Sequence, residues 1–136
     1  MKPHLLKVAG LPDTLTKQLH EYFIVEDLGP NPDPEKLRAV APGLRAMVAN
    51  GESVVKKQLI AQLPDLKLIA VCGVGYDGVD VASARAQGAD VTHTPGVLTD
   101  EVADLAIGLL VATARQLPRA DRFVREGRWP AGPYPF

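Results

Sequence analysis

The part of the chain before Pro95 alternates short apolar runs with amphipathic segments. Short apolar runs bounded by polar residues, glycine or proline are typical of strands that are covered on both faces. The predicted strands are residues 4–9, 23–25, 45–49, 68–71 and 89–92. This pattern indicates five short strands separated by helices.

The segments between the runs have apolar residues at helical spacing. The predicted helices are 12–22, a segment through Leu37 and Val40 that ends before Pro42, a segment capped by Ser53 that carries Val54, Val55, Leu59, Ile60 and Leu63, and 81–87, capped by Asp80. Strands that alternate with helices form βαβ units with right-handed crossovers. The sequence therefore predicts an α/β fold with a doubly wound, parallel, five-stranded sheet.

Three turns follow strands in this prediction. They are Asn50 with Gly51, the glycine-rich loop 73–78, and residues 94–96. In a doubly wound sheet the ligand crevice lies beyond the carboxyl ends of the strands. We therefore expect the three turns to face one cleft.

The sequence changes character after Pro95. Thr99, Asp100 and Glu101 are expected to form the N-terminal cap of a helix over 99–115, with the acidic residues favoured by the helix dipole. This helix is so apolar that we expect it to be buried on most sides in a second core.

The end of the chain is expected to form a short charged helix over 119–126 and then a proline-rich arm without regular structure. The arm carries Trp129, Tyr134 and Phe136. Because large aromatic side chains are costly to leave in water, we expect the arm to lie against a partner subunit.

Composition limits the class of protein. The chain has 136 residues, of which 46% are hydrophobic and 23% are charged, and its formal net charge is -1. Neither sign of charge is clustered, which argues against nucleic acid or an anionic membrane as a partner. The single cysteine, Cys72, and the absence of a signal-peptide pattern predict a cytoplasmic protein.

Residues 73–78 spell G-x-G-x-x-G, the pattern of a dinucleotide-binding loop. Such a loop normally follows the first strand of its unit, enters a long helix, and precedes an acidic residue by about 20 positions. Here it follows the fourth predicted strand, the helix begins at Asp80, and residue 93 is His93. A dinucleotide site, a plain tight turn and a backbone site for a small anion are the alternatives, and the residues by themselves favour the plain turn.

Other polar residues are weaker candidates. His93 is expected near the cleft, but no local carboxylate is available to orient its ring. Cys72 is expected to be a small buried residue at a strand end, and a turn and a helix cap explain Asp77 and Asp80. The scattered Cys and His residues lack metal-ligand spacing, so no metal is expected.

Several motifs in order resemble one known family. They are G-V-G-Y-D-G-V-D at 73–80, G-A-D-V at 88–91, T-P-G-V-L-T-D-E-V-A-D-L-A at 94–106, R-Q-L-P at 115–118 and G-R-W at 127–129. The chain resembles the N-terminal part of D-2-hydroxyacid dehydrogenases, in particular the glyoxylate/hydroxypyruvate reductase branch. The resemblance covers nearly the whole chain.

The resemblance implies a flavodoxin-like substrate-binding domain over 1–97. It implies that 98–136 contains the first helix of a Rossmann nucleotide domain and a dimerisation arm. Leu98 and Thr99 would then lie beside the nicotinamide of NAD or NADP, and the protein would be a homodimer.

The same resemblance changes the interpretation of the glycine-rich loop. It implies that the backbone amides of Val74 and Gly75 hold the carboxylate of a 2-oxo acid, with Asn50 and Gly51 as a second wall. Adjacent N–H groups in a glycine turn can form an anion nest, so this role is physically reasonable.

Members of this family also contain a second glycine motif, an arginine that binds substrate and a glutamate–histidine pair that handles the proton. None of these follows Phe136, so we expect no catalytic residue in this chain. The expected function is the substrate-domain portion of an enzyme that reduces a 2-oxo acid to a D-2-hydroxy acid, truncated before the dinucleotide motif and inactive alone. The alternative is a non-catalytic dimerisation or small-anion-binding module with the same fold.

Overall fold

The structure is a computed structural model that describes residues 2–136. The chain divides into two compact units, Met1–Gly96 and Val97–Phe136. The first unit contains a sheet with its helices, and the second contains two helices and the arm. The assignment of substrate binding to one part and nucleotide binding to the other stays a prediction.

The first unit is built on five parallel strands in the order β2-β1-β3-β4-β5. The strands are β1 (His4–Lys7), β2 (Ile24–Asp27), β3 (Ala46–Asn50), β4 (Leu68–Cys72) and β5 (Asp90–Thr92). This order is that of flavodoxin-like doubly wound sheets. The predicted fold class is therefore confirmed.

Four helices connect the strands. They are α1 (Asp13–Tyr22), α2 (Pro34–Val40), α3 (Lys57–Ile60) and α4 (Val81–Ala86). The centre of the core is formed by Leu6, Met47 and Ile69, which lie opposite one another on β1, β3 and β4 and are completely buried. The helices cover these central strands with apolar side chains such as Leu37 and Ile60.

The helix predicted after Ser53 is wrong in its start and length. The hydroxyl of Ser53 donates to Oδ1 of Asn50 and accepts from the backbone N–H of Asn50, each at 2.9 Å, so Ser53 closes a turn. Val55 forms a parallel bridge with Val79. Because this bridge requires extended backbone, α3 begins only at Lys57.

Gly78 lies where this bridge brings two segments close together. Its carbonyl accepts from the N–H of Val55 at 3.0 Å, and the N–H of Asp80 donates to the carbonyl of Val55 at 2.8 Å. A methyl group on Gly78 would overlap with the carbonyl oxygen of Ser53. Gly78 therefore allows the two backbones to pack against each other.

The second unit contains α5 (Thr99–Ala114), α6 (Leu117–Arg125) and a short 3-10 turn (Trp129–Ala131). The predicted cap of α5 is wrong in detail, because Leu98 occupies the N-cap position, Thr99 is already helical, and no side chain caps the helix. Asp100 and Glu101 lie in the first turn, as predicted.

The prediction that α5 is buried on most sides is wrong for the part of the chain that is described. None of its residues is buried, and Leu105, Leu109 and Leu110 are 59–70% exposed. The other helix of the unit buries only Phe123 and so provides little cover. No helix within residues 2–136 combines the length and apolarity needed to cross a membrane.

The arm is partly ordered by its own unit, and its 3-10 turn departs from the irregular structure predicted. The ring of Tyr134 packs edge-on against Phe123 with centroids 5.5 Å apart, and its hydroxyl donates to Oε1 of Gln116 at 2.9 Å. Trp129 and Phe136 remain exposed. Through these two contacts, Tyr134 packs the arm against α6.

The packing of Gly78 can be tested by Gly78→Ala. We expect a loss of about 1–3 kcal/mol in the free energy of unfolding, since the added methyl forces two backbones apart. Urea denaturation of both proteins measures it. Gly75→Ala is the matched control in the same loop, because its methyl would meet only Oδ2 of Asp77, at 4.0 Å. An equal loss in both variants would contradict the assignment.

Candidate functional site

The glycine-rich loop leaves the carboxyl end of β4 and leads to α4. Gly73 has a φ of 147°, a backbone conformation that favours glycine, and it turns the chain away from the strand. Further along, the N–H of Val79 donates to the carbonyl of Tyr76 at 2.9 Å and closes a tight turn over Asp77 and Gly78.

The G-x-G-x-x-G pattern of this loop does not have the geometry of a dinucleotide site. Gly78 packs against Ser53, whereas the third glycine of a dinucleotide motif allows close packing of a helix on its strand. The helix that follows starts only at Val81 and ends at Ala86. The loop therefore lacks a long helix whose N-terminus could hold a diphosphate.

Two backbone donors at the middle of the loop are free. Within residues 2–136, the N–H groups of Val74 and Gly75 donate no hydrogen bond to other backbone or side-chain groups. The side chain of Val74 is 55% exposed, so this part of the loop is accessible. Two adjacent free amides of this kind are suited to an anion.

Asn50 and Gly51 lie directly beside these amides. Asn50 is paired with Cys72 in the register of β3 and β4, so the turns after the two strands are neighbours. A Cβ placed on Gly51 would lie 3.4 Å from the carbonyl oxygen of Gly75, and one on Gly73 would lie 3.5 Å from the nitrogen of Gly51. The structure thus brings together the four residues predicted to bind substrate.

The side chain of Asn50 holds its own turn together. Its Nδ2 donates to the carbonyl of Gly10 at 3.3 Å, and its Oδ1 accepts from the N–H of Glu52 at 3.1 Å as well as from Ser53. With both ends of the amide engaged in this way, the turn offers mainly its backbone surface to a ligand.

The segment that follows β5 also reaches the loop. The N–H of Thr94 donates to the carbonyl of Gly73, and Nδ1 of His93 lies 2.9 Å from the carbonyl oxygen of Val74. A carbonyl oxygen only accepts, so this contact is a hydrogen bond when Nδ1 carries the proton. The ring of Tyr76 packs edge-on against His93 with centroids 4.7 Å apart. The sequence did not predict this contact, because nothing in a sequence marks a backbone carbonyl as the partner of a side chain.

The carboxylate of Asp80 is accounted for by local structure. Oδ1 of Asp80 accepts from the N–H of Ser83 and Oδ2 accepts from its hydroxyl, at 2.9 and 2.8 Å. These hydrogen bonds lower the pKa of Asp80, and the bond from the backbone N–H of Ser83 has the largest effect. The positive charges of Lys56 and Lys57 lower it by less. Asp80 therefore caps α4, as the sequence predicted, and the lowered pKa favours the ionised form.

Other candidates lie elsewhere or differ from expectation. A histidine–carboxylate pair does occur, between His4 and Glu26 at 3.2 Å, but His4 begins β1 and so lies at the amino ends of the strands. Cys72 is half-buried rather than buried. Among residues 2–136, no three His, Cys, Asp or Glu side chains are grouped so that they could hold a metal ion.

Leu98 and Thr99 belong to the second unit. Leu98 is 52% exposed at the N-cap position of α5, and Thr99 begins the helix. The acidic Asp100 and Glu101 in the first turn are unfavourable neighbours for a phosphate. A neutral group is therefore the better fit for this end of α5.

The profile of the family "D-isomer specific 2-hydroxyacid dehydrogenase, catalytic domain" matches residues 8–126. A glyoxylate reductase from Thermococcus litoralis is 40% identical over 135 residues, a match that covers 95% of this chain and 40% of the relative. The chain thus spans about two fifths of the length of this curated relative.

Solved structures with a similar backbone include a 2-hydroxyacid dehydrogenase and a glyoxylate/hydroxypyruvate reductase. The 2-hydroxyacid dehydrogenase from Ketogulonicigenium vulgare has a TM-score of 0.92 and 37% identity, covering 100% of this chain and 43% of that one. An NADPH-dependent glyoxylate/hydroxypyruvate reductase from Sinorhizobium meliloti, in complex with NADP and malonate, has a TM-score of 0.80 and 35% identity, covering 100% and 42%. The fold, the order of the motifs and these matches together show that the chain belongs to the D-isomer specific 2-hydroxyacid dehydrogenase family.

Proposed function

We propose that this chain is the substrate-binding portion of an NAD(P)-dependent 2-hydroxyacid dehydrogenase of the glyoxylate/hydroxypyruvate reductase type. The whole protein would reduce a 2-oxo acid to a D-2-hydroxy acid. The observation that carries the proposal is the pair of free amides at Val74 and Gly75, at the carboxyl end of β4. In this role they bind the carboxylate of the substrate.

The neighbourhood of the two amides supports a small substrate. The turn at Asn50 and Gly51 is in close contact with Gly73 and Gly75 and closes one side of the site. The similar reductase from Sinorhizobium meliloti was solved with malonate, a small dicarboxylate. Glyoxylate and hydroxypyruvate are of this size and carry the carboxylate that the amides require.

We assign the nicotinamide end of NAD or NADP to Leu98 and Thr99. The nicotinamide ring supplies or accepts the hydride in such enzymes. The apolar surface of Leu98 and the hydroxyl of Thr99 suit a ring with a carboxamide, and the acidic first turn of α5 favours this part of the cofactor over the diphosphate. Loop 73–78 does not suit the diphosphate either, since Gly78 is committed to packing.

The proposed carboxylate site can be tested by titrating the 136-residue chain with sodium glyoxylate and recording the amide resonances. We expect the Val74 and Gly75 resonances to shift with one saturating curve, because their N–H groups gain an acceptor. Sodium chloride at equal ionic strength is the control, and it should leave both resonances in place. If neither resonance shifts, the non-catalytic alternative would be the better description of the chain.

These 136 residues alone are expected not to catalyse the reaction. Hydride transfer needs a nicotinamide held about 3 to 3.5 Å from the carbonyl carbon, and the sequence contains no second glycine motif for the cofactor. We therefore expect no oxidation of NADPH or NADH with glyoxylate or hydroxypyruvate above the rate without protein. Turnover of about 1 per second or faster, in the range of ordinary enzymes, would contradict this.

The exposed surface of the second unit supports a homodimer. The side chains of Leu105 and Leu109 lie on one face of α5 and are exposed together with Trp129 and Phe136 of the arm. A second copy of the chain, seated on α5 and on the arm, would cover them. The cytoplasmic location and the lack of a nucleic-acid partner, both inferred from composition, stay predictions.

Replacing Leu109 by Lys tests this interface. We expect the wild-type chain to sediment as a dimer and Leu109→Lys as a monomer, because a charge would be buried without a partner. Asp104→Lys is the control, since five helical residues place it about 140° around α5 from Leu109. A wild-type chain that stays monomeric at high concentration, or equal behaviour of both variants, would contradict the proposed interface.

A further inference from the structure

We propose that His93 is a positioning residue for the carboxylate site. Its ring holds the peptide between Val74 and Gly75 in the orientation that presents the N–H of Gly75 to the ligand. The inference rests on the proposed function, because it concerns one of the same two amides.

The argument begins with the geometry of a single peptide. The carbonyl of Val74 and the N–H of Gly75 belong to the same planar unit, and in a trans peptide they point in opposite directions. Residues 2–136 contain no cis peptide bond. Nδ1 of His93 lies 2.9 Å from the carbonyl oxygen of Val74. A donor on this oxygen therefore determines the direction in which the N–H of Gly75 points.

The preceding peptide is held in the same way. The carbonyl of Gly73 accepts from the N–H of Thr94 at 2.9 Å, and the opposite side of that peptide carries the N–H of Val74. Consecutive residues after β5 thus orient both free amides. The bond from Thr94 comes from the backbone and any residue except proline could make it, whereas the bond from His93 depends on its side chain.

The ring of His93 is itself restrained. Tyr76 packs against it at an interplanar angle of 66°, and the ring lines a small cavity of about 150 Å³ together with Val81, Arg85 and Val91. A restrained donor limits rotation of the Val74–Gly75 peptide, which the conformational freedom of glycine would otherwise permit. Donation to the carbonyl also polarises the peptide and makes its N–H a stronger donor.

Two substitutions separate the hydrogen bond from the packing of the ring. Asn places its amide nitrogen on Cγ, as His places Nδ1, so His93→Asn keeps a donor at the same distance along the side chain. His93→Leu has nearly the shape of Asn and no donor. Both variants lose the contact of the ring with Tyr76, so a difference between them reports on the donor.

The experiment is the glyoxylate titration of the wild-type chain and both variants. We expect binding to His93→Leu to be about three- to tenfold weaker, and binding to His93→Asn to stay within about twofold of wild type, as the loss or retention of one hydrogen bond implies. In the absence of ligand, the carbonyl carbon of Val74 should shift in His93→Leu and return towards the wild-type value in His93→Asn.

The outcomes distinguish the two proposals. If His93→Leu and wild type bind glyoxylate with equal affinity, the positioning role is wrong and the carboxylate site is still supported. If the wild-type chain does not bind glyoxylate, both proposals are wrong. The nitrogen shifts of the wild-type ring give a test that does not depend on folding of a variant. The positioning role requires a proton on Nδ1, and a neutral ring protonated only at Nε2 would exclude it.

Discussion

The parallel pairing of β3 with β4 is the constraint on which the candidate site depends. Its register places Asn50 opposite Cys72, so that the turns after both strands begin at the same level of the sheet. The pairing of β4 with β5 then brings the segment with His93 to the same edge. Because all strands are parallel, their carboxyl ends meet, and loops that are distant in sequence come into contact.

Each of the three glycines in the loop serves a separate purpose. Gly73 adopts a positive φ that turns the chain, Gly75 leaves its N–H free beside an open surface, and Gly78 allows close packing on Ser53. A pattern that matches a diphosphate loop letter by letter thus arises from unrelated requirements. The spacing of glycines is informative only together with the helix that follows, and α4 is too short and too late for a dinucleotide.

In the second unit, the sequence predicted the two helices correctly but not the burial of the side chains of α5. The apolar pattern of α5 correctly predicted a helix, but the side chains that should be buried are exposed in the described chain. Hydrophobic periodicity reports that a face requires cover and does not report what supplies it. In the arm, Tyr134 packs against Phe123 of the same unit, and the guanidinium of Arg115 lies 5.2 Å from the centre of the Phe136 ring.

The sequence by itself determined the sheet class, most strand and helix positions, the family, and the residues gathered at the carboxyl ends of the strands, because local periodicity and ordered motifs carry this information. Tertiary structure decided the remainder. The bridge between Val55 and Val79 replaced a predicted helical turn, and the contact of His93 with the Val74 carbonyl joined two distant loops. The bridge is formed by backbone groups alone, and the partner of the His93 ring is a backbone carbonyl. Every residue possesses such groups, so a pattern of side chains does not identify these partners.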